Sequence, residues 1–374
     1  VLAACAALAA LGCAPELELF EANDPRCGEG YCELVGRTCG SIVDPCGARW
    51  ECGACAEGSC STTGRCESGR CPLEVGEVLE LARYEGFRTR PVAFASTESH
   101  LYFWTAFPTL STPGNSSVYR ADKCGDELVE LQERVGQDDM FAGYTLDVDE
   151  THVYFANQRP IQPVYRAPLL GGEREPLTEP LPRVCGLVVD APRDRLVYLR
   201  CDPDAPGVYV VPRVGGASVR LFEGSPTRRV VREDDRLVWI EREPPGLGVA
   251  DLGRDEVRAR LPEPAVPRDV ILHRGDLYWL RPVGEVTELV TLTVDGAFVL
   301  ARFGPDVRSL AAREDELFVV DAESPWVVER ATGATRRLAG RGGELVYADA
   351  DGLYVSGTEV TGELSRHVVR RYGR

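Results

Sequence analysis

Six residues have the types and placement to do chemistry: Asp147, Asp149, Asp190, His273, Asp349 and Asp351. Carboxylates two residues apart, with a histidine in the same chain, are raw material for acid–base hydrolysis, in which one group stays protonated and another ionised. The pairs Asp147-Val-Asp149 and Asp349-Ala-Asp351 also offer hard oxygen donors for calcium, but the loop pattern of an EF-hand is missing. Placement speaks against both uses. Most of these residues precede an apolar strand, at turns where Asp and Gly are favoured for local backbone reasons. The expectation is therefore no catalytic residue, no metal site and no cofactor. The four histidines, His100, His152, His273 and His367, are scattered. His100 and His152 open equivalent strands, which points to a repeated structural role. No nucleophile elbow, P-loop or dinucleotide fingerprint occurs.

Sulfur offers the second chemistry. Of 14 cysteines, nine fall within residues 27–71. Cys52-Gly-Ala-Cys55 suggests zinc or redox work, but a zinc ribbon needs a second such pair. A thioredoxin-type pair opens a helix, whereas this one sits in a Gly-rich coil. A segment so small cannot bury enough surface to hold itself, so disulfides are expected. The run from Cys39 to Cys55 has the form CGxxxDxCGxxxxCGxC. It resembles small cysteine-rich modules in secreted proteins of myxobacteria and their relatives, a resemblance that implies no activity.

Nine is odd, and beyond residue 71 stand only Cys124, Cys185 and Cys201. Cys185 and Cys201 are equidistant from Arg193, in the turn of a two-strand segment, so a hairpin would bring them face to face. A Cys185–Cys201 disulfide is predicted. Cys124 then remains for the odd module cysteine, a bond that would dock the module onto the rest of the chain.

What must position these residues is a repeat. An acidic or Gly-containing turn leads into an apolar, aromatic strand seven times: His100-Leu-Tyr-Phe-Trp104, His152-Val-Tyr-Phe-Ala156, Arg195-Leu-Val-Tyr-Leu199, Arg236-Leu-Val-Trp-Ile240, Asp276-Leu-Tyr-Trp-Leu280, Glu316-Leu-Phe-Val-Val320 and Gly352-Leu-Tyr-Val-Ser356. Successive copies are 52, 43, 41, 40, 40 and 36 residues apart. A period of about 40 with room for four strands is the mark of a β-propeller blade. The motif strands are apolar on both faces, as strands packed between two layers are. They and the strands after them resemble the "LYW…VYRxxLxGG" repeats of YWTD-type and TolB-like six-bladed propellers. Seven motif strands predict an all-β propeller of seven blades, or six if the shorter last copy is a partial blade. Residues 75–84 would supply the outer strand that closes the ring with the C-terminal segment.

The ends and the charge complete the reading. Val1 to Leu11 is an apolar run ending at Gly12-Cys13-Ala14, the shape of a secretory signal and too short for a bilayer span of about 20 residues. Cys13 resembles the lipidated residue of a bacterial lipobox, with Ala10 in place of the usual Leu. No basic segment or Met precedes the run, which points to an unusual or truncated start. Residues 1–12 are thus expected as signal, 13–26 as an acidic tether, 27–71 as the cysteine-rich module and 72–374 as the propeller. The expected location is the outer membrane or cell surface, with a periplasmic or freely secreted protein as the alternative. A net charge of −17 argues against nucleic acid, which needs a basic surface. These features point to a monomeric, non-enzymatic binding or scaffolding propeller for an envelope protein, peptide or glycan, touching the membrane only through its lipid. The alternative is an extracellular hydrolase or lyase acting on glycan or peptide. The longest insert, carrying Phe107, Leu110 and Asn115, is the candidate binding loop.

Overall fold

In a computed structural model, the residues described are 41–43, 49–51, 59–60, 66–67, 78–85, 90–106, 117–124, 127–132, 144–157, 161–361 and 364–372. The chain divides into two compact units, Val1–Arg70 and Cys71–Arg374. In the first, two short antiparallel hairpins are described: Ser41–Val43 with Arg49–Glu51, and Ser59–Cys60 with Cys66–Glu67. Cys13 lies outside the described residues.

The second unit consists of seven four-stranded antiparallel sheets. Six are meanders of consecutive strands, which short turns permit. Their first strands are Arg90–Ser96, Tyr144–Val148, Val184–Asp190, Pro226–Glu233, Asp269–His273 and Ser309–Arg313. The seventh takes Leu345–Ala348, Leu353–Thr361 and Leu364–Tyr372 from the far end of the sequence. Its outermost strand is Val78–Glu85, paired antiparallel to Leu364–Tyr372. First strands of successive sheets pack against one another around a common axis. The unit is a seven-bladed β-propeller, so the alternative of six blades falls. Among the described residues the only helix is a 3₁₀ turn at Ala191–Arg193.

Each motif strand is the second of its blade, and the physical reason for its uniform apolarity is visible. Seven hydrophobic clusters fill the gaps between blades, one per gap. In blade 3, Leu196 and Tyr198 face the gap toward blade 2 while Val197 and Leu199 face blade 4. The two-residue strand period serves both gaps at once. All four side chains are fully buried, each worth about 1.5–3 kcal/mol relative to exposure.

Repetition extends to the backbone. After the third strands of blades 2 and 3, Gly171-Gly172 and Gly215-Gly216 adopt φ of 91° and 139°, and 90° and 139°. That conformation is open to glycine and strained for other residues. In each turn the first Gly donates to the Pro carbonyl three residues earlier, at 3.0 and 2.9 Å.

Cys185 and Cys201 are joined by a disulfide with Cα atoms 6.0 Å apart, within the usual span. Cys185 occupies a bulge between Val184 and Gly186, which lets it reach a residue just beyond its partner strand. Cys124 is also disulfide-bonded; its expected pairing with the 27–71 module lies outside the described residues.

Candidate functional site

The seven innermost strands enclose a channel of about 790 Å³, and every blade contributes to its wall. Inner strands leave one edge without a β partner, so their backbone groups need side chains. The sequence supplies them. Asp147 Oδ2 on blade 2 accepts from the Val189 amide of blade 3 at 2.7 Å. Arg232 on blade 4 donates to the Val189 carbonyl at 3.1 Å. Asp269 on blade 5 accepts from the Leu310 amide and the Ser309 hydroxyl of blade 6, at 2.8 and 3.2 Å. Ser309 in turn accepts from the Val346 amide of blade 7 at 3.2 Å, and Tyr347 meets the Ser96 hydroxyl of blade 1 at 3.0 Å. With Arg229 Nε 3.1 Å from Asp269 across the gap between blades 4 and 5, six of the seven junctions are stitched this way among the described residues.

Asp147 is therefore not a turn residue, as the sequence pattern suggested, but part of the channel wall. Burial pushes its carboxyl up to about 6 against the hydrogen bonds from Val189 and Val148. Asp149, two residues on, shows the opposite outcome. Burial would raise it as well, but the Tyr154 hydroxyl at 2.6 Å and the Thr151 and His152 amides at 2.7 and 2.8 Å hold it down at about 2. Arg213 adds an ion pair at 2.5 Å. The split resembles that of an acid–base pair, yet both oxygens of each carboxylate are already committed within the protein.

The remaining candidates disperse. Asp190 ends an inner strand, fully buried, and binds Arg193 at 3.0 Å and Arg195 at 2.8 Å, with Arg232 at 3.4 Å. It too serves the fold between blades rather than a turn alone. Asp349 and Asp351 meet Lys123, each at 2.8 Å from Nζ. A buried ammonium thus stands where a cation had been considered. His100 and His152 repeat one geometry: Nδ1 lies 2.7 Å from the hydroxyl of the preceding Ser99 or Thr151, and the ring lies 6.3 or 6.1 Å from the Tyr two residues on. His273 Nε2 contacts the Glu314 carbonyl at 2.7 Å. No three His, Cys, Asp or Glu side chains among the described residues could share a metal ion. Phe107, Leu110 and Asn115 lie outside the described residues.

Sequence reading missed the arginines. Arg229, Arg268 and Arg308 line the channel at the end where inner strands begin, together with Glu344 of blade 7, whereas Asp147, Asp149 and Glu150, with Arg232 beside them, line the end where the blade 2 strand finishes. Arg268 and Arg308 each immediately precede the first residue of an inner strand, a recurrence that alignment of the repeats would have exposed.

No protein-family model matches the sequence, and no curated protein matches it either. Solved structures do. The chain is similar to a hydrazine synthase chain of Kuenenia stuttgartiensis, with TM-score 0.56 and 13% identity over 73% of this chain and 94% of that one. It is similar to a puromycin-hydrolysing peptidase of Mycobacterium tuberculosis, with TM-score 0.53 and 16% identity, over 77% of this chain and 53% of the peptidase. What is shared is the propeller. A chain of a nidogen/laminin complex aligns at TM-score 0.47 and 16% identity over 69% of this chain and 97% of that one. With 994 chains matching, the architecture by itself selects no activity.

Proposed function

We propose that this chain is an exported, non-enzymatic binding propeller that holds a ligand in its central channel. The observation that carries the reading is the state of the channel wall. It is large enough for a ligand segment, at about 790 Å³, and its carboxylates Asp147 and Asp269 are engaged by backbone amides of the neighbouring blade. What is left for a ligand is shape and charge rather than a poised acid and base. Export is supported by the Cys185–Cys201 disulfide, since such bonds persist in oxidising compartments. The signal-like run before Cys13 supports it independently, with the lipid on Cys13 as tether. A peptide or envelope protein is the partner class we favour, because the channel offers few aromatic faces for sugar: Phe94 is nearly buried and Tyr347 is bonded to Ser96.

The test is capture from cell-envelope extracts with the intact protein and with Ala191→Trp, a substitution at an exposed channel-lining position. Ligand retained by the wild type and lost by the folded variant is the expected result. Equal retention would place binding elsewhere, and cleavage of the retained ligand by the wild type would overturn the non-enzymatic reading. The hydrolase alternative draws on one feature, the raised carboxyl of Asp147, and the same cleavage assay with Asp147→Asn addresses it.

A further inference from the structure

Resting on the channel as the binding site, we propose that its mouth at the start of the inner strands is an anion subsite, built by Arg229, Arg268 and Arg308, for the carboxylates of a short acidic peptide segment. The three arginines come from adjacent blades 4, 5 and 6 and line one cavity. Arg268 is fixed to the rim by donation from Nη1 to the carbonyls of Val307, at 2.8 Å, and Pro305. Arg229 is held by Asp269, with Nε 3.1 Å from Oδ1. The Asp269 oxygens also receive the Val270 and Leu310 amides, so that carboxylate is shared among several donors and neutralises the cluster only in part. Arg308 is exposed, and among the described residues its guanidinium makes no hydrogen bond or ion pair.

A guanidinium carries five N–H donors in a planar fork that matches a carboxylate. Three of them around one opening outnumber the two carboxylates there, Asp269 and Glu344, and leave donors for an incoming carboxylate. Charge then sets direction. The arginine mouth also carries Glu344, which immediately precedes the blade 7 inner strand, and the far end presents Asp147, Asp149 and Glu150 beside Arg232. An acidic segment thus meets a net positive charge at one mouth and a net negative charge at the other. The net charge of −17 opposes long polyanions, but charges beyond about 8 Å are screened at physiological salt. A short segment seated on the rim therefore feels the arginines first. Peptide rather than acidic sugar is the source, for want of stacking faces in the channel.

The experiment is calorimetric titration of the full chain with triglutamate, triglutamine and trigalacturonate, repeated on Arg308→Gln and on Arg336→Gln. Arg336 is an exposed arginine on the outer strand of blade 6, Thr335–Arg337. Triglutamate alone should bind, about tenfold more weakly to Arg308→Gln and unchanged on Arg336→Gln, with affinity falling as salt rises. Because the Arg308 side chain is exposed and has no partner among the described residues, its variant should keep the wild-type melting temperature. Absence of triglutamate binding, equal loss in both variants, binding of triglutamine as tight as triglutamate, or binding of trigalacturonate instead would each overturn the proposal. These outcomes are separate from the Ala191→Trp capture experiment: the channel can retain its ligand there while the arginine rim fails here.

Discussion

At the scale of single residues, two aspartates with one residue between them end up on opposite sides of ordinary carboxylate behaviour. Asp147 faces the channel and spends its oxygens on two amides, while Asp149 gathers a hydroxyl, amides and a guanidinium. The consequences for pH have opposite signs. Asp147 keeps its proton in the fold up to about 6, against 3.8 in the unfolded chain. The stability it contributes is therefore present in acid and lost as pH rises from about 4 to about 6. Asp149, held at about 2 against 3.8 in the unfolded chain, contributes stability that is fully present above the ordinary carboxylate range and is lost progressively as pH falls from about 4 through about 2. Asp147→Asn mimics the protonated form. Denaturant midpoints at pH 4.5 and 7 should show the variant gaining on the wild type by roughly 1–2 kcal/mol as pH rises, a fraction of the full shift because the channel admits solvent. A difference that does not change with pH would show that Asp147 does not titrate in this window. Sequence made these residues conspicuous but mistook the purpose of one: the amide that Asp147 satisfies belongs to Val189, on another blade. No local pattern reports a partner so distant.

At the scale of elements, most of the architecture was legible because each blade must meet the same two demands. A strand between two gaps is apolar at every position, and the turn before it needs residues that tolerate tight backbone. Hence the motif strands stood out, and the GG that ends the propeller-repeat resemblance falls on the Gly-Gly turns after the third strands of blades 2 and 3. Less legible were close approaches between strands. Gly248, in the third strand of blade 4, Pro245–Asp251, lies under Trp239: an added Cβ would stand 2.2 Å from ring carbons of the indole. Trp239 in turn stacks on Phe222 of blade 3 at 5.8 Å and donates to buried Glu241 at 2.8 Å. Gly248→Ala should push the indole off that stack and cost about 1–3 kcal/mol by overpacking. The expected readout is a lowered melting temperature together with altered near-ultraviolet circular dichroism; an unchanged spectrum would show that the strand yields instead. Nothing in the sequence distinguished this glycine from those in turns, because its role is set by a side chain on the neighbouring strand.

At the scale of the whole molecule, the ring is latched by the protein's only lysine. Lys123 follows the third strand of blade 1, Ser117–Asp122, and sits buried between Asp349 and Asp351 of blade 7. Arg371 reinforces the same junction, donating to the Lys123 carbonyl at 2.7 Å and to the Asp351 carbonyl at 2.8 Å. Removing one partner of a buried pair leaves uncompensated charge and costs about 3–5 kcal/mol. Lys123→Met should therefore lower stability by that order, and adding Asp349→Asn with Asp351→Asn should recover part of it in chemical unfolding. No recovery would mean that Lys123 acts by packing alone. Closure by residues near 75–84 was readable, since an apolar strand lay outside the repeats while the last repeat lacked a fourth strand. The latch was not: Lys123 is separated from Asp349 and Asp351 by most of the domain, and each alone looks like a surface turn residue.

That arrangement has a consequence in time. Val78–Glu85 is synthesised ahead of every blade, and its partner Leu364–Tyr372 is completed after all the others. Through most of its synthesis the chain carries an orphan strand, and the final contact has nearly the greatest sequence separation the domain allows, which slows folding. Until then two bare strand edges invite pairing with other chains. Ring closure thus acts as a completeness check: a polypeptide cut short before Leu364 lacks Tyr372 in the gap between blades 6 and 7 and Val369 in the gap between blades 7 and 1, and has nothing to hold Val78–Glu85.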